Sequence, residues 1–214
     1  IDVKEIRLSP NIDTNDLNSP YFIPLTLSIA YDGSIKSLVL KNVNFSTVAN
    51  SYASIVKYNS SLQNIYFTNV SFSGSIQPYL DVFKDKTFFS AYQYYFKDCK
   101  LTTSDFVSFF KSFKKYPADM FSIVFSRCTF TTLAMETIFS TIANSVPFRT
   151  LRELYFGDMK ADESLTTCLL QFFTSNFFIN QKNLVSLSFE SMGMDLNMVL
   201  SFLFLNNSYF LNLS

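Results

Sequence analysis

Histidine and tryptophan are absent from the 214 residues, glycine occurs four times, proline six times and cysteine three times. The missing histidine reaches furthest: it removes Ser-His-Asp triads, Cys-His dyads and every metal site that depends on an imidazole. So little glycine and proline excludes collagen-like and turn-rich low-complexity chains. Cys99, Cys128 and Cys168 are an odd number and too few to staple a chain of this length. A disulfide framework is therefore not expected, and a reducing, cytoplasmic setting is. Charge is scarce and balanced, with 16% charged residues and 17 basic against 17 acidic, which points away from nucleic acid and anionic membrane as partners. The best candidate for a bilayer span, Leu196–Asn206, is too short and is broken by polar residues. The chain does not open on methionine, and it reads as an internal fragment of a larger protein.

What the sequence has in quantity is apolar and aromatic surface: 48% hydrophobic residues, with 26 Phe and 12 Tyr. That is ample for a packed core and too apolar for a disordered tail. The apolar residues recur in one template, apolar-x-x-apolar-x-apolar. It is filled by Ile35, Leu38 and Leu40; Leu62, Ile65 and Phe67; Ala91, Tyr94 and Phe96; Met120, Ile123 and Phe125; Leu151, Leu154 and Phe156; and Leu184, Leu187 and Phe189. The starts at 35, 62, 91, 120, 151 and 184 are 27, 29, 29, 31 and 33 residues apart. A poorer copy, Val3, Ile6 and Leu8, precedes them, and a further start is cut short at Leu211-Asn-Leu213.

Each template is followed by a stretch of helical spacing. Val48, Tyr52, Ile55 and Val56 share one face of Ser46–Tyr58. Ser104 and Asp105 are placed to cap a helix whose stripe is Phe106, Phe109, Phe110 and Phe113, with Pro117 ending it. Leu133, Ile138 and Ile142 form the stripe before Pro147. Leu165, Leu169, Phe172 and Phe173, then Leu196, Val199, Leu200 and Leu203, form two more. Asn59-Ser-Ser-Leu62 and Asn183-Leu184 read as helix-to-strand returns whose polar side chains satisfy the turn's backbone. A unit of about 30 residues cannot bury a strand and a helix alone, but stacked copies share one core. The expectation is an α/β solenoid, a horseshoe with a concave parallel sheet and convex helices. It forms a single array of about seven units over 1–214, with an irregular first unit over 1–34.

The units resemble leucine-rich repeats of the ribonuclease-inhibitor type, Leu-x-x-Leu-x-Leu-x-x-Asn/Cys-x-Leu, with Phe replacing many leucines. The Asn/Cys position holds Cys99 and Cys128 but Val43, Val70, Met159 and Met192 elsewhere, so apolar packing replaces most of the usual polar ladder. Phe110-Lys-Ser-Phe-Lys-Lys-Tyr-Pro117, Met120–Ser126, Ser145-Val-Pro-Phe148 and Leu151–Phe156 resemble the repeat block of the CARMIL family, large cytosolic scaffolds that regulate actin capping protein. The resemblance implies a non-enzymatic, cytoplasmic protein-interaction scaffold tied to the actin cytoskeleton, with protein partners and a homodimer as an option. That family's capping-protein-binding segment lies downstream of the repeats, and nothing in 1–214 resembles it. The Ran GTPase-activating proteins share the repeat subclass and act through loops at the strand ends, where Arg127 is the only arginine. Ser126 and Cys128 beside it make no recognised catalytic motif.

The residue between the second and third template positions should face the concave side, and it is large in most units: Val39, Tyr66, Tyr95, Val124 and Tyr155, then Ser188. Stacked at about 4.8 Å per strand, these side chains form a ridge suited to a partner. Val39, Tyr66, Tyr95, Val124 and Tyr155 are the candidate partner-binding residues. No catalytic residue, metal ligand, cofactor, nucleic acid or small-molecule substrate is expected. Lys41, Lys97, Asp98, Arg127, Glu153, Asp158 and Glu190 flank the ridge and run from basic towards acidic; they read as solvated charges more than as a guide for a partner. Cys99 and Cys128 read as buried packing thiols, since two ligands do not make a metal site. Sequons at Asn44, Asn59, Asn69, Asn206 and Asn212 keep an extracellular recognition or adhesion module as an alternative.

Overall fold

A computed structural model describes residues 5–8, 22–82, 91–115, 119–158, 167–169, 171–172 and 183–190. Expectations on Met159, Leu165, Phe173, Met192, the helix after Met194, Pro117 and the sequons at Asn206 and Asn212 lie outside these residues.

Strands and helices alternate along the chain: β1 Glu5–Leu8, α1 Phe22–Tyr31, β2 Ser37–Lys41, α2 Phe45–Tyr58, β3 Asn64–Thr68, α3 Gln77–Val82, β4 Gln93–Lys97, β5 Lys100–Leu101, α4 Ser104–Ser112, β6 Ser122–Ser126, β7 Thr129–Phe130, α5 Thr132–Asn144, β8 Glu153–Gly157 and β9 Ser186–Glu190. Seven strands form one open parallel sheet in the order β1-β2-β3-β4-β6-β8-β9. The six templates lie side by side in register: Leu38 opposite Ile65, Ile65 opposite Tyr94, Tyr94 opposite Ile123, Ile123 opposite Leu154 and Leu154 opposite Leu187. The poorer copy contributes β1, whose Ile6 pairs with Leu38. A second ladder joins β5 to β7, extended by bridges from Asn44 to Ser71 and from Ser71 to Lys100.

Strand alternation divides the sheet into two faces. In β2 and β4 the second and fourth residues are buried, the first and third half-buried and the last exposed. The inward residues Phe67, Phe96, Phe125 and Phe156 stack ring on ring at 4.9, 5.0 and 5.1 Å, with interplanar angles of 10°, 16° and 19°. In the backbone register Phe189 pairs with Phe156. Helix rings close over the ladder, Phe45 and Phe109 on Phe67 and Phe139 on Phe156, while Phe113, just past α4, meets Tyr94. Each such pair adds about 0.5–1.5 kcal/mol beyond the area it buries.

Local chemistry sets the helix ends. Asn44, Thr103 and Thr131 are the N-caps of α2, α4 and α5, their side chains accepting the backbone N–H of Ser46, Phe106 and Ala134. Asn59 closes α2: its amide donates to the carbonyls of Ile29 and Asp32, and its Oδ1 accepts from the Ser61 N–H. Asn183 donates likewise to Arg149.

Three expectations change. The cap of α4 is Thr103, one residue before Ser104, because it is the residue with extended backbone. Leu133 is exposed: α5 starts at Thr132, which turns its first residues outward, and Ala134, Met135, Ile138, Phe139 and Ile142 carry its buried face. α5 ends at Asn144, ahead of Pro147 as expected, and Pro147 lies in a 3-10 turn over Val146–Thr150. The first unit contains the regular helix α1, with Pro24 in its first turn, where the missing N–H would have had no intrahelical partner.

Candidate sheet-face interaction site

The outer face is built from the first, third and fifth residues of each strand. Its central row is Val39, Tyr66, Tyr95, Val124, Tyr155 and Ser188, register partners from β2 to β9 and all half-buried. The structure therefore brings together all five residues singled out from the sequence. Tyr66 and Tyr95 stack at 4.5 Å with their planes 10° apart. The Tyr95 hydroxyl donates to Gln93 Oε1 at 3.2 Å. Burial, then the neighbouring Tyr66 and Glu153, raise the Tyr95 phenol above its usual range, so it stays a neutral donor. Towards the strand starts the row is bordered by Tyr92 and Phe121, edge to face at 6.2 Å, with the Arg152 guanidinium 5.3 Å from the Phe121 ring. Towards the strand ends lie Lys41, Thr68, Lys97, Ser126 and Gly157.

The next residue along each unit forms a separate row that sequence reasoning missed. Asn42, Asn69, Asp98, Arg127 and Asp158 all have left-handed backbone, with φ of 55°, 50°, 56°, 50° and 53°. Each of the first four donates its N–H to the following strand's last residue: Asn42 to Thr68, Asn69 to Lys97, Asp98 to Ser126 and Arg127 to Gly157, at 2.8–3.0 Å. Asn and Asp tolerate this conformation because their short side chains bond locally. The side chains also bond along the row: Asn69 Nδ2 to Asn42 Oδ1 at 2.9 Å, and Arg127 to both Asp98 oxygens at 2.6 and 2.8 Å. Asp98, Arg127 and Asp158 are thus turn residues and not part of a graded charge on the sheet face. The Arg127 hydrogen bonds hold the Asp98 carboxyl below its ordinary value.

Val43, Val70, Cys99 and Cys128 come next, all buried. Cys99 and Cys128 are thiols outside any disulfide. The Cys99 sulfur lies 3.4 Å from the Phe67 carbonyl and that of Cys128 3.4 Å from the Phe96 carbonyl, each reaching back one strand. Burial pushes the Cys128 thiol up, so it remains protonated packing material. Among the described residues no group of three or more His, Cys, Asp or Glu is gathered that could hold a metal, and no helix is long and apolar enough to cross a membrane. The Asn59 sequon is 2% exposed, with its amide spent on two carbonyls. A glycan there would require the return loop to open. On the helical side an open depression of about 500 Å³ runs between α4, α5 and the residues Cys168, Gln171 and Phe172, lined also by Lys111, Glu136, Phe139 and Ser140.

No family model matches the chain, and no curated protein matches it.

Proposed function

We propose that the chain is a leucine-rich-repeat solenoid of the ribonuclease-inhibitor type, acting as a non-enzymatic scaffold that binds a protein partner on its sheet face. The observation that carries this reading is the central row, where Val39, Tyr66, Tyr95, Val124 and Tyr155 stand in register on the half-exposed side. A sheet face that merely met water could carry Ser, Thr or Lys at every one of these positions. Tyrosine offers a large, rigid contact surface with a polar tip at low entropic cost, which is why it anchors interfaces. The likeness of residues 110–156 to CARMIL repeats extends the proposal to a cytoplasmic scaffold of the actin cytoskeleton. The engaged amide of Asn59 and the buried thiols of Cys99 and Cys128 favour that setting over an extracellular one.

The test replaces Tyr66, Tyr95 and Tyr155 together with Ser and compares captured partners with those of the parent protein at matched stability. The outer row is expected to tolerate the change, because the core residues point the other way, and the variant should lose specific partners. A variant that stays folded and retains every partner would move the site to the helical face.

A further inference from the structure

We infer, resting on the reading of the outer face as a partner surface, that its β2–β4 portion takes an acidic peptide segment. The peptide's carboxylates meet Lys41 and Lys97, and its apolar side chains lie along Val39, Tyr66 and Tyr95. With Asp98, Arg127 and Asp158 assigned to the turns, the charges that remain on these strands sort by position. β2, β3 and β4 hold two charged residues, Lys41 and Lys97, and both are exposed. β6 holds none, and the charged residues of β8 and β9 are Glu153 and Glu190. In the register Lys41 and Lys97 stand on either side of Thr68, two strand spacings apart, which is about 10 Å between their backbones.

Asp98 follows Lys97 in the chain, but Arg127 holds both of its oxygens, so that pair is neutral as a unit and leaves the lysines in excess. Lys36, just ahead of β2, adds a third cation at the other end of the strand. A partner laid over the stacked rings of Tyr66 and Tyr95 therefore finds an apolar stripe with a rim of one sign. Such a rim draws in groups of opposite charge and rejects groups of its own. The favourable stretch ends at β8. There Gly157 takes the position that Lys41 and Lys97 hold, the Tyr155 ring lies over it where a Cβ would overlap, and Glu153 on the same strand repels a carboxylate. Nucleic acid binding draws on many phosphate contacts. A few lysines around Val39 and two phenol rings, on a chain with 17 basic and 17 acidic residues, suit a short acidic and apolar peptide better.

The experiment selects a random peptide display library on the parent protein at physiological salt, then measures the enriched peptides, made synthetically, by fluorescence anisotropy. The enriched set should combine Asp and Glu with Leu or aromatic residues. Lys41→Glu/Lys97→Glu, shown to be folded by circular dichroism, should bind these peptides at least about ten-fold more weakly, and Tyr66→Ser/Tyr95→Ser should lose them. Enriched peptides that are neutral or basic yet still need Tyr66 and Tyr95 would overturn the acidic partner and leave the partner surface standing. Acidic peptides held equally well by the charge-reversed variant would overturn the role of the lysines. Oligouridine or phosphatidylserine vesicles bound more tightly than any peptide, and released by the charge reversal, would overturn the assignment to a peptide. Should the reversed variant not fold, Lys41→Gln/Lys97→Gln replaces it, with a several-fold loss expected and an unchanged affinity contradicting the inference. A parent that enriches no peptide at all would sink the partner-surface reading and the acidic partner together.

Discussion

Phe125 stacks between Phe96 and Phe156 and meets Phe110 of α4 and Phe130 of β7, with none of its surface exposed. Truncation to Ala removes these contacts and leaves a cavity that four surrounding rings cannot collapse to fill. Phe125→Ala should cost about 3–5 kcal/mol, checked by the midpoint of denaturant unfolding. This ladder is legible in the sequence because Phe recurs at one template position and strand geometry sends that position inward in every unit. Tyr66 and Tyr95 are legible for the same reason, one residue earlier and therefore on the opposite face. The pose of Tyr155 is not: it depends on a glycine two residues later on the same strand, and no period reports a rotamer. Leu133 shows the opposite failure, an apolar residue whose helical phase depended on where the cap fell.

The elements are joined by devices only partly visible in a pattern of apolar residues. Thr131 caps α5 by accepting the Ala134 N–H at 3.2 Å, and it is exposed, so Thr131→Ala should lose about 0.5–2 kcal/mol through the cap alone. Thermal unfolding with an unchanged circular dichroism spectrum would check it. The turn after each strand requires left-handed backbone, and the sequence does carry the signal in Asn42, Asn69, Asp98 and Asp158. In a chain rich in polar surface residues, however, those identities read as ordinary charges and amides until the common φ is seen. Arg127 is the exception in that row. Its ion pair with Asp98 offsets part of the strain, though both side chains remain substantially exposed and screened. The folded-state pKa of Asp98 is depressed, so its contribution is present above the unfolded carboxylate value of about 4 and is lost as pH falls through the folded value. Denaturation midpoints at low salt should therefore fall on acidification below about pH 4. In Arg127→Gln that acid sensitivity should be smaller, and added salt should bring parent and variant together.

At the scale of the molecule, each unit contributes one strand to a single sheet and one inward aromatic or aliphatic layer to a shared core, so stability is spread over neighbours and not concentrated at one site. The alternation of strands and helices and the order of the sheet were legible from a spacing of 27 to 33 residues between templates. The second ladder through β5 and β7 was not, because two-residue strands carry no periodicity. The central claim is that the same strands present phenylalanine to the core and tyrosine to the outer face. It is tested most directly by measuring thermal unfolding of Tyr66→Ser/Tyr95→Ser/Tyr155→Ser beside that of Phe125→Ala. The triple variant should melt within a few degrees of the parent, while the single Phe125→Ala change should lower the midpoint by on the order of 10 °C. A triple variant destabilised as severely as Phe125→Ala would place the tyrosines in the core and contradict the assignment of the two faces.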